Sequence, residues 1–285
     1  MGQRTSPFAA QGKQSGQILL ISLLVLSVAT TIALSLIGRA AVDQNISNEI
    51  EESARALSAA EAGIEQSLKS SVGSGGAQVL TPSVSYTTNV SAIGSAAGPY
   101  VFSQKTTRNS TETLWLVAHN SDGTLNETPT YTASTMDICW SSETTTPAVV
   151  ATVLYKKSTD GSYRTAKGAF DPNGTRASSN KFTAIAGAGT NCGQNNYYKT
   201  TLNFTSLGIA PASDTLIMLR LRPIYSDAQL AMDSGGAILP IQGNRIDSTG
   251  SVATGVTRKV VVLQQYRSAE SIFDAVVFSQ GAFGH

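Results

Sequence analysis

Ile18-Leu-Leu-Ile-Ser-Leu-Leu-Val-Leu-Ser-Val-Ala-Thr-Thr-Ile-Ala-Leu-Ser-Leu-Ile37 decides the architecture of this chain. Its twenty residues contain no charge, proline or glycine. At a rise of about 1.5 Å per residue, such a helix crosses the roughly 30 Å hydrocarbon layer of a bilayer. Arg4 and Lys13 precede it with no acidic residue among the first sixteen, whereas Asp43, Glu49, Glu51 and Glu52 come soon after Arg39. Basic flanks stay cytoplasmic, so the remainder of the chain is expected to be exported.

Gly38-Arg39-Ala40 would serve as a small-x-small secretory cleavage site. The apolar run is longer than the roughly 7 to 15 residues of an ordinary signal core, however. The residues behind it also argue for a continuing helix. Apolar or small residues recur at Val42, Ile46, Ile50, Ala54, Leu57, Ala60, Ile64 and Leu68, spacings of three and four that form one stripe. No glycine or proline interrupts residues 39–62. The pattern predicts one helix over residues 17–71, transmembrane over 17–38 and amphipathic over 39–71. Gly73-Ser74-Gly75-Gly76 cannot sustain it and suits a flexible hinge. Small members of the stripe would let another backbone approach closely; at least part of it is expected to pack on the chain's own β domain, and one helix can serve both purposes.

The 285 residues carry a formal net charge of +1 with only 14% charged residues, so the chain lacks the basic field that holds a nucleic-acid backbone. Abundant Ser, Thr, Asn and Gly fit an exported β protein. Cys139 and Cys192 both lie beyond the apolar run; in an oxidising compartment they would close a disulfide, and otherwise they are two buried thiols.

From residue 77 to 285 the pattern turns to short β-branched and aromatic runs. Strands are expected over 100–106, 113–118, 136–140, 149–157, 197–204, 215–221 and 256–266, with a closing strand over 271–279. Asp122-Gly123 and Asp160-Gly161 read as hairpin turns. Segments 73–89, 124–135 and 170–196 read as surface loops, the surface on which recognition would lie. The expected fold class is α+β: a long N-terminal helix packed on an antiparallel, sandwich-like β domain without a further helix.

Few residues offer catalytic chemistry. His119 and His285 are the only histidines; His119 has Asp122 three residues on, but no Gly-x-Ser-x-Gly elbow accompanies it. Two cysteines and isolated histidines match no zinc spacing. Residues 120–127 and 171–175 cluster oxygen donors around a glycine, as calcium loops do, yet neither completes the twelve-residue pattern and both equally suit turns. Asn-x-Ser/Thr triplets at Asn89, Asn109, Asn126, Asn173 and Asn203 reflect the abundance of Asn and Thr. No enzyme activity, metal or cofactor is expected.

The basic leader ending at Gly16, the apolar run directly behind it and the long continuing helix resemble the class III signal of type IV pilins and pseudopilins. More narrowly, Gln14-Ser-Gly-Gln-Ile-Leu-Leu-Ile-Ser-Leu-Leu-Val-Leu26 and Arg55-Ala-Leu-Ser-Ala-Ala-Glu-Ala-Gly-Ile-Glu65 resemble the amino-terminal segment of PilX-like minor pilins and GspK-like tip pseudopilins. Ala59-Ala60-Glu61-Ala62-Gly63 is the most specific string, and the resemblance covers roughly residues 13 to 70. It implies a leader over 1–16, prepilin peptidase cleavage between Gly16 and Gln17, and assembly with other pilin or pseudopilin subunits. Ile18, Ile21, Leu24, Val28, Ile32, Ile37, Ile46, Ile50, Leu57, Ile64 and Leu68 would form the membrane and assembly helix. Before assembly the chain would sit in the inner membrane with its amino terminus cytoplasmic, and afterwards in an extracellular filament. Major pilins carry an acid at the fifth mature position, where this chain has Ile21. A carboxylate there is costly in lipid and pairs with a neighbouring subunit's terminal amine, so its absence implies a place at the tip. The alternative is a single-pass anchor that presents a cell-surface binding module.

Overall fold

A computed structural model describes residues 15–185, 192 and 197–271. The chain forms two compact units, one of residues up to Thr88 together with Ser248–Val260, the other of Asn89–Asp247 with the residues from Val261 onward. Both the single long apolar N-terminal helix and the antiparallel, β-rich remainder are present, which makes the class α+β.

In the first unit α1 runs unbroken over Ser15–Ser70. It ends where Ser71 turns to φ +58° and donates its amide to the Ser67 carbonyl at 2.7 Å. Four strands, β1 (Gln78–Thr81), β2 (Val84–Gly94), β14 (Ile241–Val252) and β15 (Thr257–Gln265), form a sheet in the order β1-β2-β14-β15. The segment expected as a loop over 73–89 therefore contains an antiparallel hairpin, Val79 pairing with Ser85 across Pro82-Ser83. Proline presets the turn's first φ and Ser83 takes φ +72°. The expected hinge is tied down as well. Ser74 donates its amide to the Thr88 carbonyl at 3.1 Å, and its hydroxyl accepts from the Thr88 amide at 2.9 Å.

The second unit holds β3 (Ala97–Val101), β4 (Glu112–Trp115), β5 (Val117–His119), β6 (Leu125–Pro129), β7 (Thr135–Ser141), β8 (Ala148–Lys156), β9 (Tyr163–Asp171), β10 (Thr183–Ala184), β11 (Tyr197–Asn203), β12 (Thr215–Ile224) and β13 (Leu230–Ile238). Five strands pair in the order β10-β9-β8-β12-β4 and four in the order β11-β7-β13-β3, while β5 and β6 form a ribbon. These strands pair antiparallel except for β10 on β9. Val149, Ala151, Val153 and Tyr155 of β8 alternate inward and share one buried cluster with Leu219 and Leu221 of β12, Ile138 and Trp140 of β7, and Leu230 and Met232 of β13. Trp140 satisfies its indole by donating to the Pro147 carbonyl at 2.9 Å.

Several boundaries differ from expectation. The strand expected at 100–106 is β3, displaced towards the N-terminus, and 113–118 divides into β4 and β5. Segment 124–135 is not all loop, since β6 pairs with β5. Within 170–196 stands a second helix, α2 (Gly174–Asn180), where none was expected; Asn173 caps it by accepting from the Arg176 amide. The closing strand expected at 271–279 lies outside the described residues, apart from Ser271.

A buried ion pair fastens β8 to the turn before β12. The Asp214 side chain is fully buried and accepts from Lys157 Nζ at 2.8 Å, from the Ser158 amide at 3.0 Å and from the Ala210 amide at 2.9 Å. Burial alone would raise its pKa. The Lys157 ammonium and the amide donors outweigh burial and hold the carboxyl far below the ordinary carboxylate range. Because the folded pKa is depressed, this stabilisation is complete above the unfolded value near 4 and fades as pH falls towards the folded one. Asp214→Asn should cost roughly 2 kcal/mol at neutral pH. It should also flatten the fall of the thermal midpoint below about pH 4, and an unchanged acid limb would refute the assignment.

Candidate assembly helix and its docking face

Every α1 residue from Gln17 to Glu51 is exposed. Ile18, Ile21, Leu24, Val28, Ile32 and Ile37 all lie among the exposed large apolar side chains. By length and composition this helix is able to cross a membrane. Its hydroxyls suit that solvent. Ser22, Ser27, Thr30 and Thr31 donate to carbonyls three or four residues back, at 2.7–2.9 Å, so none of the four depends on lipid for a partner. Gly16 and Gln17 lie in the first turn of α1, and residues 1–14 lie outside the described residues.

The outer part of α1 divides its small and large residues between two faces. Ala56, Ala59, Ala60, Gly63, Ile64 and Ser67 are buried, at spacings of three and four. They meet the part of the sheet that belongs to the same unit. The fit is close enough that backbone touches backbone. A Cβ on Gly250 of β14 would stand 1.9 Å from the Ala56 carbonyl oxygen and 2.6 Å from the Ala60 nitrogen. A Cβ on Gly63 would stand 2.4 Å from Ser248 Oγ and under 3 Å from Thr88 and Tyr86. Ser67 Oγ donates to Thr88 Oγ1 at 2.9 Å, and Arg258 Nε donates to Ser53 Oγ at 2.7 Å. The Ala-Ala-Glu-Ala-Gly string is thus, physically, a surface that lets a strand lie against a helix.

The expected stripe docks only in part. Ala60 and Ile64 dock, but Leu57 and Leu68 remain 41% and 39% exposed, and Val42, Ile46 and Ile50 are at least half exposed. The docked face is rotated towards the smallest residues because only they permit the approach. Ser248, Gly250 and Thr88, which receive the helix, were not apparent from the sequence. The signal was the period-two run Ile246, Ser248, Gly250, Val252, all buried.

The remaining candidates are held by their own neighbours. The His119 ring stacks on Tyr266 at 3.7 Å and meets Trp115 edge-on at 4.7 Å, and burial pushes its pKa down. Asp122 is engaged elsewhere, accepting from the Thr124 amide and hydroxyl in the β5–β6 turn, so the two form no catalytic pair. In the second oxygen-rich loop, Asp171 is fully buried and accepts from Arg176 Nε and Nη2 at 2.7 and 2.8 Å, with further bonds from Asn173 and Asn180. The Arg176 guanidinium thus engages both carboxylate oxygens of Asp171. No group of three or more metal-ligating side chains gathers among the described residues. Cys139 and Cys192 are joined by a disulfide, both fully buried, with Cα atoms 6.2 Å apart. No family model, curated protein or solved structure matches this chain.

Proposed function

We propose that this chain is a non-enzymatic structural subunit, a minor pilin or pseudopilin at the tip of a type IV pilus-like or type II secretion-like filament. It assembles through α1 and displays its second unit, whose two sheets form a β-sandwich around one core. The observation that carries this reading is the division of labour along α1. Only a narrow small-residue face of its last third docks on the chain's own sheet, while a continuous apolar surface from Ile18 through Val42, Ile46, Ile50 and Leu57 is left for other helices. A helix serving only as an anchor needs an apolar span of about twenty residues and no apolar face beyond it.

Leaving the bilayer exchanges lipid contact for subunit contact along that surface. Glu49, Glu51, Glu61 and Glu65 around it favour register with basic neighbours. Ile21 in place of an acid supports the tip position. Co-expression with a prepilin peptidase should give a mature chain that begins at Gln17 by mass and terminal sequencing. A chain that keeps residues 1–16 and stays out of sheared filaments is instead a membrane-anchored binding module, and the proposal fails.

A further inference from the structure

A cleft of about 300 Å³ opens on the second unit, and the filament reading does not use it. Ile93 from the end of β2, Tyr100 from β3, Ser103 just beyond it, Arg245 from β14, and Leu263 and Gln265 from β15 line it, and all six belong to that unit. The volume is at the small end of ligand pockets, which run from about 300 to 1,000 Å³, and suits one six-membered ring with its substituents. The lining is of two kinds. Ile93, Leu263 and the Tyr100 ring are apolar, whereas Ser103, Gln265, Arg245 and the Tyr100 hydroxyl donate or accept hydrogen bonds.

Two of these side chains are held in place before any ligand arrives. The Tyr100 ring meets the buried Phe102 edge-on at 5.2 Å. Arg245 forks onto Asp247, two residues along the same strand, with Nε donating to one carboxylate oxygen at 2.8 Å and Nη2 to the other at 3.1 Å. Charge then narrows the choice of ligand. Among the described residues that line the cleft Arg245 alone is charged, and Asp247 neutralises it. Burial, and after it the neighbouring Glu112 carboxylate, raise the Tyr100 pKa against a hydrogen bond with the Gln265 side chain. An anion laid against Tyr100 meets that carboxylate while the guanidinium is already paired. A wholly apolar guest fares no better, since it strips water from Ser103, Gln265 and Arg245 and returns no hydrogen bond.

We infer that this cleft binds one pyranose ring of a neutral glycan. A sugar ring offers an apolar C–H face to Tyr100 and Leu263, and a rim of hydroxyls, each both donor and acceptor, to Ser103, Gln265 and the remaining N–H groups of Arg245. The site goes beyond the filament reading and stands or falls apart from it, because binding by the solubilised chain needs neither leader cleavage nor assembly.

Saturation-transfer difference NMR on the full chain tests the assignment, in a detergent whose head group is not a sugar. The probes are methyl α-glucoside, methyl α-mannoside, methyl β-galactoside and N-acetylglucosamine, each at about 10 mM, because one ring in an open cleft binds at about millimolar strength. At least one of the four should take up saturation on its ring protons. Arg245→Ala/Gln265→Ala should weaken that binding about tenfold or more. The thermal midpoint should stay within about 2 °C of the wild type, since both side chains are exposed. Leu263→Arg, at a position 43% exposed, fills the cleft from another side and should have the same effect on binding. Silence from all four sugars overturns the assignment, and so does undiminished binding in either variant. Glucuronate or N-acetyltyrosinamide matching the best sugar would show an anion or a peptide aromatic site instead, and would overturn it equally.

Discussion

Replacing Gly250 by valine unseats α1 from its sheet and costs about 3 kcal/mol. A Cβ there falls 1.9 Å from the Ala56 carbonyl oxygen and 2.6 Å from the Ala60 nitrogen. Both are backbone atoms of a regular helix, so no rotamer change relieves the clash. Strand β14 must move or the helix must lift away. Gly63→Val acts from the other side of the same contact and should cost less, because the side chains of Ser248, Thr88 and Tyr86 have some freedom to give. Gly236→Val is the matched control, as a Cβ there meets nothing within 4 Å, and it should change stability by under about 0.5 kcal/mol. Thermal unfolding of the full chain in detergent, with limited proteolysis across residues 53–72, measures both effects. Equal midpoints for Gly250→Val and Gly236→Val would show that α1 does not dock on β14.

Removing the disulfide is the second large effect. Cys139 and Cys192 are 53 positions apart, and on the chain-entropy account opening such a loop costs about 4 kcal/mol. Cys139 lies on a central strand, paired on both sides by β11 and β13, and packs with Ala231 and Val101 in a small buried cluster. The bridge therefore ties Cys192 to a strand that is paired on both sides. The Cys139→Ser/Cys192→Ser variant should unfold at a midpoint lower by roughly 8–16 °C, and reductant should bring the wild type towards the same value. A wild type indifferent to reductant, with a variant of unchanged midpoint, would show that the bond contributes nothing to stability.

The long apolar helix was legible because its signal is continuous, twenty uncharged residues without glycine or proline. Strands with one strongly apolar face, such as β7, β8 and β12, were legible for the same reason. The ones missed share a cause. Strand β14 buries Ser248 and Gly250 rather than valine or leucine because a helix backbone lies against it, and a buried face made of small residues reads as a loop. Strand β13 carries Gly235-Gly236, and β9 sets Arg164 and Lys167 among threonine, alanine and glycine. The same logic hid the docked face of α1, since apolar periodicity favours large side chains whereas this contact favours the smallest. Helix α2 was missed because its residues are small or polar and its stability comes from the Asn173 cap and the Asp171–Arg176 pair, both set by tertiary context.

The partners that seat α1 lie at opposite ends of the chain: Ser53 and Arg258 are 205 positions apart. A ribosome making this protein releases the helix roughly two hundred residues before the strands that hold it. Until then the Ala56–Ser67 face has no sheet to rest on, so the first unit closes only when Ser248–Val260 has been made. A chain cut short before Ser248 therefore carries the long helix without the strands that seat it.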